Sequence, residues 1–146
     1  MNDKNPLSIG VFGLGHVGLP TALGFSELGW NVIGVESDPK KAQLIKNGDV
    51  PFNEIGVAAL LKKHSNSGKF SVTTDTKLAV KQADILFMCV GTPRRADGSA
   101  DTSQLEQLAR ELRDSISSYK IVIQKSTAPV NTARKIKDIL HGGNNN

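Results

Sequence analysis

Residues 8–36 read SIGVFGLGHVGLPTALGFSELGWNVIGVE, and the order of their features decides the fold. Ile9-Gly10-Val11-Phe12 is a short β-branched and apolar run that predicts a buried strand. Gly13, Gly15 and Gly18 follow in the spacing G-x-G-x-x-G. A helical pattern comes next, carried by Val17, Ala22, Leu23, Phe25 and Leu28 and stopped by Gly29. A second β-rich run, Asn31 to Val35, ends on the acid Glu36. The glycine triplet alone is weak evidence. Strand, glycine turn, helix, strand and acid within about thirty residues point strongly to a dinucleotide-binding unit.

Each residue type has a physical reason to be there. Gly13 lets the chain turn sharply from strand to helix. Gly15 carries no side chain to block a pyrophosphate, and Gly18 lets helix and strand pack closely. The helix then turns its unpaired N–H groups and the positive end of its dipole toward the phosphates. Glu36 stands where an acid that hydrogen-bonds the adenosine ribose belongs, about 20 residues past the glycines. A carboxylate there repels a 2′-phosphate, so NAD is expected over NADP.

At 146 residues, 38% of them hydrophobic, the chain is long enough for one domain with a real core. The longest apolar run is far too short to cross a bilayer, and MNDKNPLS has no signal-peptide apolar segment. One cysteine excludes an internal disulfide, so a cytoplasmic location and no membrane association are expected. The net charge of +4 is spread over scattered lysines and arginines, and aromatics are only 5%. Such a surface suits phosphate-bearing small molecules and not nucleic acid.

The rest of the chain alternates strand and helix. Met1 to Leu7 is a polar lead-in expected to fray. Pro20, near the end of the first helical turn, loses an N–H that has no partner anyway. Asp38-Pro39 starts a helix over Lys40 to Lys46 that stops at Asn47-Gly48. Lys41, on it, is close enough to Glu36 to reach the same ribose. Asp49 to Asn53 connects to a helix over Glu54 to His64, with Ile55, Ala58 and Leu61 on one face. Phe70 to Thr74 is a strand, and Asp75 caps a helix bearing Leu78, Ala79 and Ala83. Ile85 to Val90 is the longest apolar run and is expected as a central parallel strand, with Cys89 buried and inert inside it. A polar loop over Gly91 to Asp101 follows at the ligand edge of the sheet. Asp101 or Thr102 caps a helix with Leu105, Leu108, Ala109, Leu112 and Ile116 on one face. Tyr119 to Gln124 is a strand, and a last helix bears Val130, Ala133, Ile136 and Ile139. About five strands joined by helical crossovers make a doubly wound (Rossmann) α/β domain over residues 1–140, with helices on both faces and strand order 3-2-1-4-5. The tail over 141–146 is expected to be disordered.

Five blocks, GLGHVGLPTA, VIGVESDPKK, NGDVPFNE, ADILFMCVGTP with DGSAD, and KSTAPVNT, occur in that order. Together they resemble the N-terminal NAD-binding domain of the UDP-glucose/GDP-mannose dehydrogenase family, over residues 8 to 140. The resemblance implies NAD contacts from the loop Gly13, Leu14, Gly15, His16, Val17 and Gly18, and from Glu36, Lys41, Thr92 and Thr127. Arg94 and Arg95 lie in a loop that varies in the family and are expected to face solvent. His16 stands where the family usually has Tyr, Glu54-Ile55-Gly56 replaces Glu-Pro-Gly, and Asn131 replaces Gly.

The family oxidises a sugar-nucleotide alcohol to a carboxylate in two hydride transfers, through a thioester on a cysteine in a second half of the chain. An aldehyde yields its second hydride readily only after a nucleophile has added to it. No catalytic residue is therefore assigned here, except that Thr127 is a candidate. The 146 residues alone are expected to bind NAD, to meet nucleotide sugar only in a full-length form, and to be a monomer or weak dimer. A free-standing, non-catalytic NAD-binding module is the alternative; a 3-hydroxy-acid dehydrogenase is disfavoured by the paired GTP and KST blocks. His16, His64, His141 and Cys89 have no metal-ligand spacing.

Overall fold

The structure, a computed structural model, describes residues 7–142. The lead-in over residues 1–6 and the tail over 143–146 lie outside them.

Period-two alternation makes the first strand, β1 (Ser8–Phe12), two-sided. Ile9 and Val11 enter one apolar cluster with Leu14, Leu19, Leu23, Val32, Ile45, Leu61 and Phe70. Phe12 enters another, on the opposite face, with Val35, Leu86, Met88, Leu105, Leu108, Leu112 and Ile136. The sheet is thus buried on both sides, as parallel sheets require.

Helix α1 (Gly18–Glu27) follows the glycine turn, and Gly29, at φ +92°, reverses the chain into β2 (Asn31–Val35). Asp38 caps α2 (Pro39–Lys46), accepting hydrogen bonds from the N–H groups of Lys40 and Lys41. Then come α3 (Val57–Asn66), β3 (Phe70–Thr73) and α4 (Thr76–Gln82), with Asp75 accepting from the Leu78 N–H. The chain ends with β4 (Ile85–Met88), α5 (Ser103–Ser115), β5 (Ile121–Gln124) and α6 (Thr132–Leu140). All strand pairs are parallel and the order is β3-β2-β1-β4-β5. Ile9 sits between Val32 and Ile85 in the register. The fold class and strand order are those read from the sequence.

The topology opens a crevice at the C-terminal ends of β1 and β4, where successive connections leave in opposite directions. No helix among the described residues is long and apolar enough to cross a membrane.

Several boundaries differ from the sequence reading. The central strand stops at Met88; a bond from the Cys89 N–H to the Phe12 carbonyl (2.8 Å) extends the pairing one step, so Cys89 lies just past the strand and not inside it. Helix α3 begins at Val57 because Gly56, at φ +87°, is left-handed and outside helical geometry. Ile55 therefore stays in the connector, fully exposed, and Val130, ahead of α6, is exposed in the same way. Val17 and Leu28 flank α1 and are also exposed, so only Ala22 and Leu23 of the expected α1 face are fully buried. Tyr119 is exposed ahead of β5. His141 and Gly142 form the closing turn of α6, with the Gly142 N–H donating to the Ile139 carbonyl.

Candidate dinucleotide site

The glycine turn is fixed by contacts that exclude side chains. The Gly13 N–H donates to the Val35 carbonyl (2.8 Å), tying the end of β1 to β2. Gly13 has φ +92°, and a Cβ there would lie 2.9 Å from the Cys89 carbonyl oxygen and from Val90 N and Cα. A Cβ on Gly18 would sit 1.7 Å from the Gly13 oxygen. A Cβ on Gly15 would meet nothing within 4 Å. Two glycines are thus demanded by the protein's own packing, and the third faces open space. No side chain caps α1; the Leu19 N–H donates to the Gly15 carbonyl (3.1 Å) and Pro20 has no N–H, so the N–H groups that can meet an anion are those before Leu19.

Glu36 follows β2 and is 6% exposed. Its Oε2 accepts from the Leu14 N–H (3.3 Å) and pairs with Lys41 Nζ (2.9 Å), while Oε1 accepts from the Asp38 N–H (3.2 Å). One carboxylate therefore connects the glycine loop to the start of α2. On the other side, Thr92 Oγ1 donates to the Thr127 carbonyl (2.6 Å), and Ser126 Oγ donates to the Val90 carbonyl (2.7 Å). These bonds stitch the loop after β4 to the loop after β5.

Gly13, Leu14, Gly15, His16, Val17, Glu36, Lys41, Thr92 and Thr127 line one cavity of about 470 Å³, with Gly18 buried beneath them. A second cavity of about 320 Å³ shares Gly13, Ser37, Val90 and Gln104 with the first. It reaches the α4–α5 face, where Thr76, Gln107, Leu108 and Glu111 line it. The pair form one bent groove across the ends of β1, β2 and β4. Gln104, Gln107 and Glu111 escaped the sequence reading, although their three- and four-residue spacing puts them on one side of α5, beside its apolar stripe. Ser37 and Ser126 carried no signal beyond their neighbours. A larger, more apolar groove of about 590 Å³ lies between β5 and α6 and holds none of the predicted residues.

Arg94 and Arg95 lie outside both cavities. They begin a small hairpin in which Arg94 pairs with Ala100 and Gly98 (φ +85°) makes the turn. Arg95 pairs with Asp101 at 3.1 Å. Asp101 also accepts from the Ser103 N–H, and these bonds, Ser103's first, hold its carboxyl at about 2. Burial pushes the Cys89 thiol up to about 11, against a smaller opposing pull from Lys125.

Comparison with known proteins agrees with this geometry. The family model of the UDP-glucose/GDP-mannose dehydrogenase family, NAD binding domain, matches residues 7–146. The chain belongs to this family. It is 36% identical to the UDP-glucose 6-dehydrogenase of Rhizobium meliloti over 94% of its length and 32% of that protein's. It is 39% identical to an uncharacterised protein of Methanocaldococcus jannaschii, over 92% of this chain and 15% of that one. Among solved structures, a ternary complex of GDP-mannose dehydrogenase from Pseudomonas aeruginosa superposes with a TM-score of 0.89 at 36% identity, covering 92% of this chain and 32% of that one. The chain thus spans a third or less of the length of these relatives.

As an NAD-binding domain of this family, the chain carries its three departures without backbone strain. No described residue other than glycine has a positive φ. Asn131 stands at the N-cap position of α6, without a side-chain capping bond, at φ −88°, so glycine is not required there. His16 lies against Phe52 of the connector, ring centroids 4.3 Å apart.

Proposed function

We propose that this chain is the cofactor-binding part of a nucleotide-sugar 6-dehydrogenase, an oxidoreductase that converts a UDP- or GDP-sugar alcohol to a uronic acid. The observation that supports this most directly is the bent groove over the strand ends, floored by a glycine loop that tolerates no side chain at Gly13 or Gly18.

In this reading the N–H groups of Gly15 to Gly18 hold the pyrophosphate, those of Gly13 and Leu14 being bonded to Val35 and Glu36. Glu36 receives the adenosine ribose hydroxyls and, being anionic, disfavours a 2′-phosphate; Lys41 keeps that carboxylate in place. The adenine takes the second cavity, against Val35 and Leu108. Thr92 and Thr127 face the opposite end of the groove, where their mutual hydrogen bond sets the width of the opening. NAD, when bound, supplies the hydride acceptor.

The covalent step must be supplied from elsewhere than Cys89. That thiol is buried, and at about 11 it stays protonated at neutral pH, so it is a packing group. The 146 residues by themselves therefore bind NAD and do not oxidise sugar nucleotide. The test is to mix the purified chain with NAD and either UDP-glucose or GDP-mannose, following NADH absorbance and, separately, NAD binding. Binding with no NADH is expected; sustained NADH formation would show that this chain holds its own catalytic groups.

A further inference from the structure

We infer that the His16 imidazole is a side-chain ligand for the dinucleotide's pyrophosphate, so that this chain binds NAD more tightly as the pH falls. The inference rests on the NAD-binding reading and adds to it a group other than the loop's backbone.

A dinucleotide pyrophosphate carries two negative charges, yet among the described residues the only Lys or Arg lining the cavity around the glycine loop is Lys41. Lys41 is already paired with Glu36 at 2.9 Å, so these two side chains cancel. Cys89 also lines the cavity, and its thiol, held up by burial, is uncharged. His16 is the remaining ionisable side chain of the lining. Lys125 influences Cys89 without lining the cavity, and Asp49 and Glu54 flank Phe52 in the connector, both exposed.

His16 lies between Gly15 and Val17, directly before the uncapped N-terminus of α1, where anions are favoured. The exposed His16 ring lies tilted by 33° against half-buried Phe52, which packs against the core, a contact that uses neither ring nitrogen. Among the described residues no hydrogen bond or ion pair ends on those nitrogens. His64 is the contrast: its Nε2 is bonded to Glu27 at 2.5 Å and its ring is buried. Histidine changes charge between about pH 5 and 8. A protonated ring beside the pyrophosphate adds a charge-assisted hydrogen bond that the neutral ring cannot match. The protonated form binds more tightly, so affinity is highest in acid and falls as the ring loses its proton.

The experiment is calorimetric titration of the intact 146-residue chain with NAD at pH 6 and pH 8, for the wild type and His16→Phe. Phenylalanine keeps a ring against Phe52 and removes the two ring nitrogens. His16→Tyr, which restores the family's usual residue, is the second variant should His16→Phe misfold by circular dichroism. The wild type is expected to bind about three- to tenfold more tightly at pH 6, and either variant to show the weaker affinity at both pH values. Wild-type affinity equal at the two pH values, or a pH dependence retained in the variants, overturns the role of His16 and leaves the NAD reading standing. No NAD binding by the wild type at either pH overturns both. In the ring NMR spectrum at pH 6, assigned by loss of the His16 signals in the variant, NAD should shift the His16 ring resonances. Unmoved resonances count against the inference.

Discussion

Gly18 leaves no room for a methyl group, because the Gly13 carbonyl occupies the space where a Cβ would stand. Gly18→Ala must therefore push α1 off β1, and we expect a loss of about 3 kcal/mol or more in urea unfolding, with NAD binding abolished. Gly15→Ala meets no protein atom, so its stability should be near wild type while NAD affinity falls. The contrast between these two variants separates a glycine needed for packing from one needed for ligand. Glu36→Gln is expected to cost about 1–3 kcal/mol, since it leaves Lys41 beside a neutral group and weakens two backbone hydrogen bonds. It should also narrow the preference for NAD over NADP, measured as the ratio of their dissociation constants. Cys89 should resist alkylation at pH 8 in the folded chain and react promptly in denaturant, because its thiol sits at about 11 only while buried. Rapid modification of the native chain would contradict that burial.

Helix starts matter to the site because α2 carries Lys41 and α5 carries Gln104. Asp38→Ala removes the acceptor for two first-turn N–H groups of α2, and a loss of about 1 kcal/mol with weaker NAD binding is expected. Asp101 accepts from one N–H, that of Ser103 at the start of α5, and its carboxyl is held at about 2 against an ordinary 3.8. A depressed folded-state value stabilises above the ordinary range and is lost as the pH falls through the folded one. The melting temperature of Asp101→Ala should therefore lie a few degrees below wild type at neutral pH, with the gap closing between about pH 4 and pH 2. The elements themselves were legible in the sequence wherever periodicity and a cap agreed, as at Asp38-Pro39, Asp75 and the α5 stripe. The misreadings share one cause. Ile55, Val130 and Val17 fit an apolar helical spacing, yet each precedes its helix, and only a backbone feature such as the left-handed Gly56 marks the boundary. Apolar character does not tell a core position from an exposed one at a helix entrance.

Across the whole molecule, the crevice follows from strand order, and strand order followed from the alternation of elements with right-handed crossovers. Leu14, Glu36, Thr92 and Thr127 each follow a strand of the parallel sheet, so this order brings them to one edge. The α4–α5 side of the groove was not legible, because Thr76, Gln107 and Glu111 meet only through helix packing. The coupling of Glu36 to Lys41 was hidden for a related reason: the sequence puts both near a ribose but does not say that they pair. The central claim is that these 146 residues form an NAD site complete enough to choose its cofactor. Calorimetric titration of the purified chain with NAD, and in parallel with NADP, tests it most directly. Saturable one-to-one binding of NAD, with NADP clearly weaker, is the predicted result. Absence of binding by either nucleotide, or NADP binding as tightly as NAD, would contradict it.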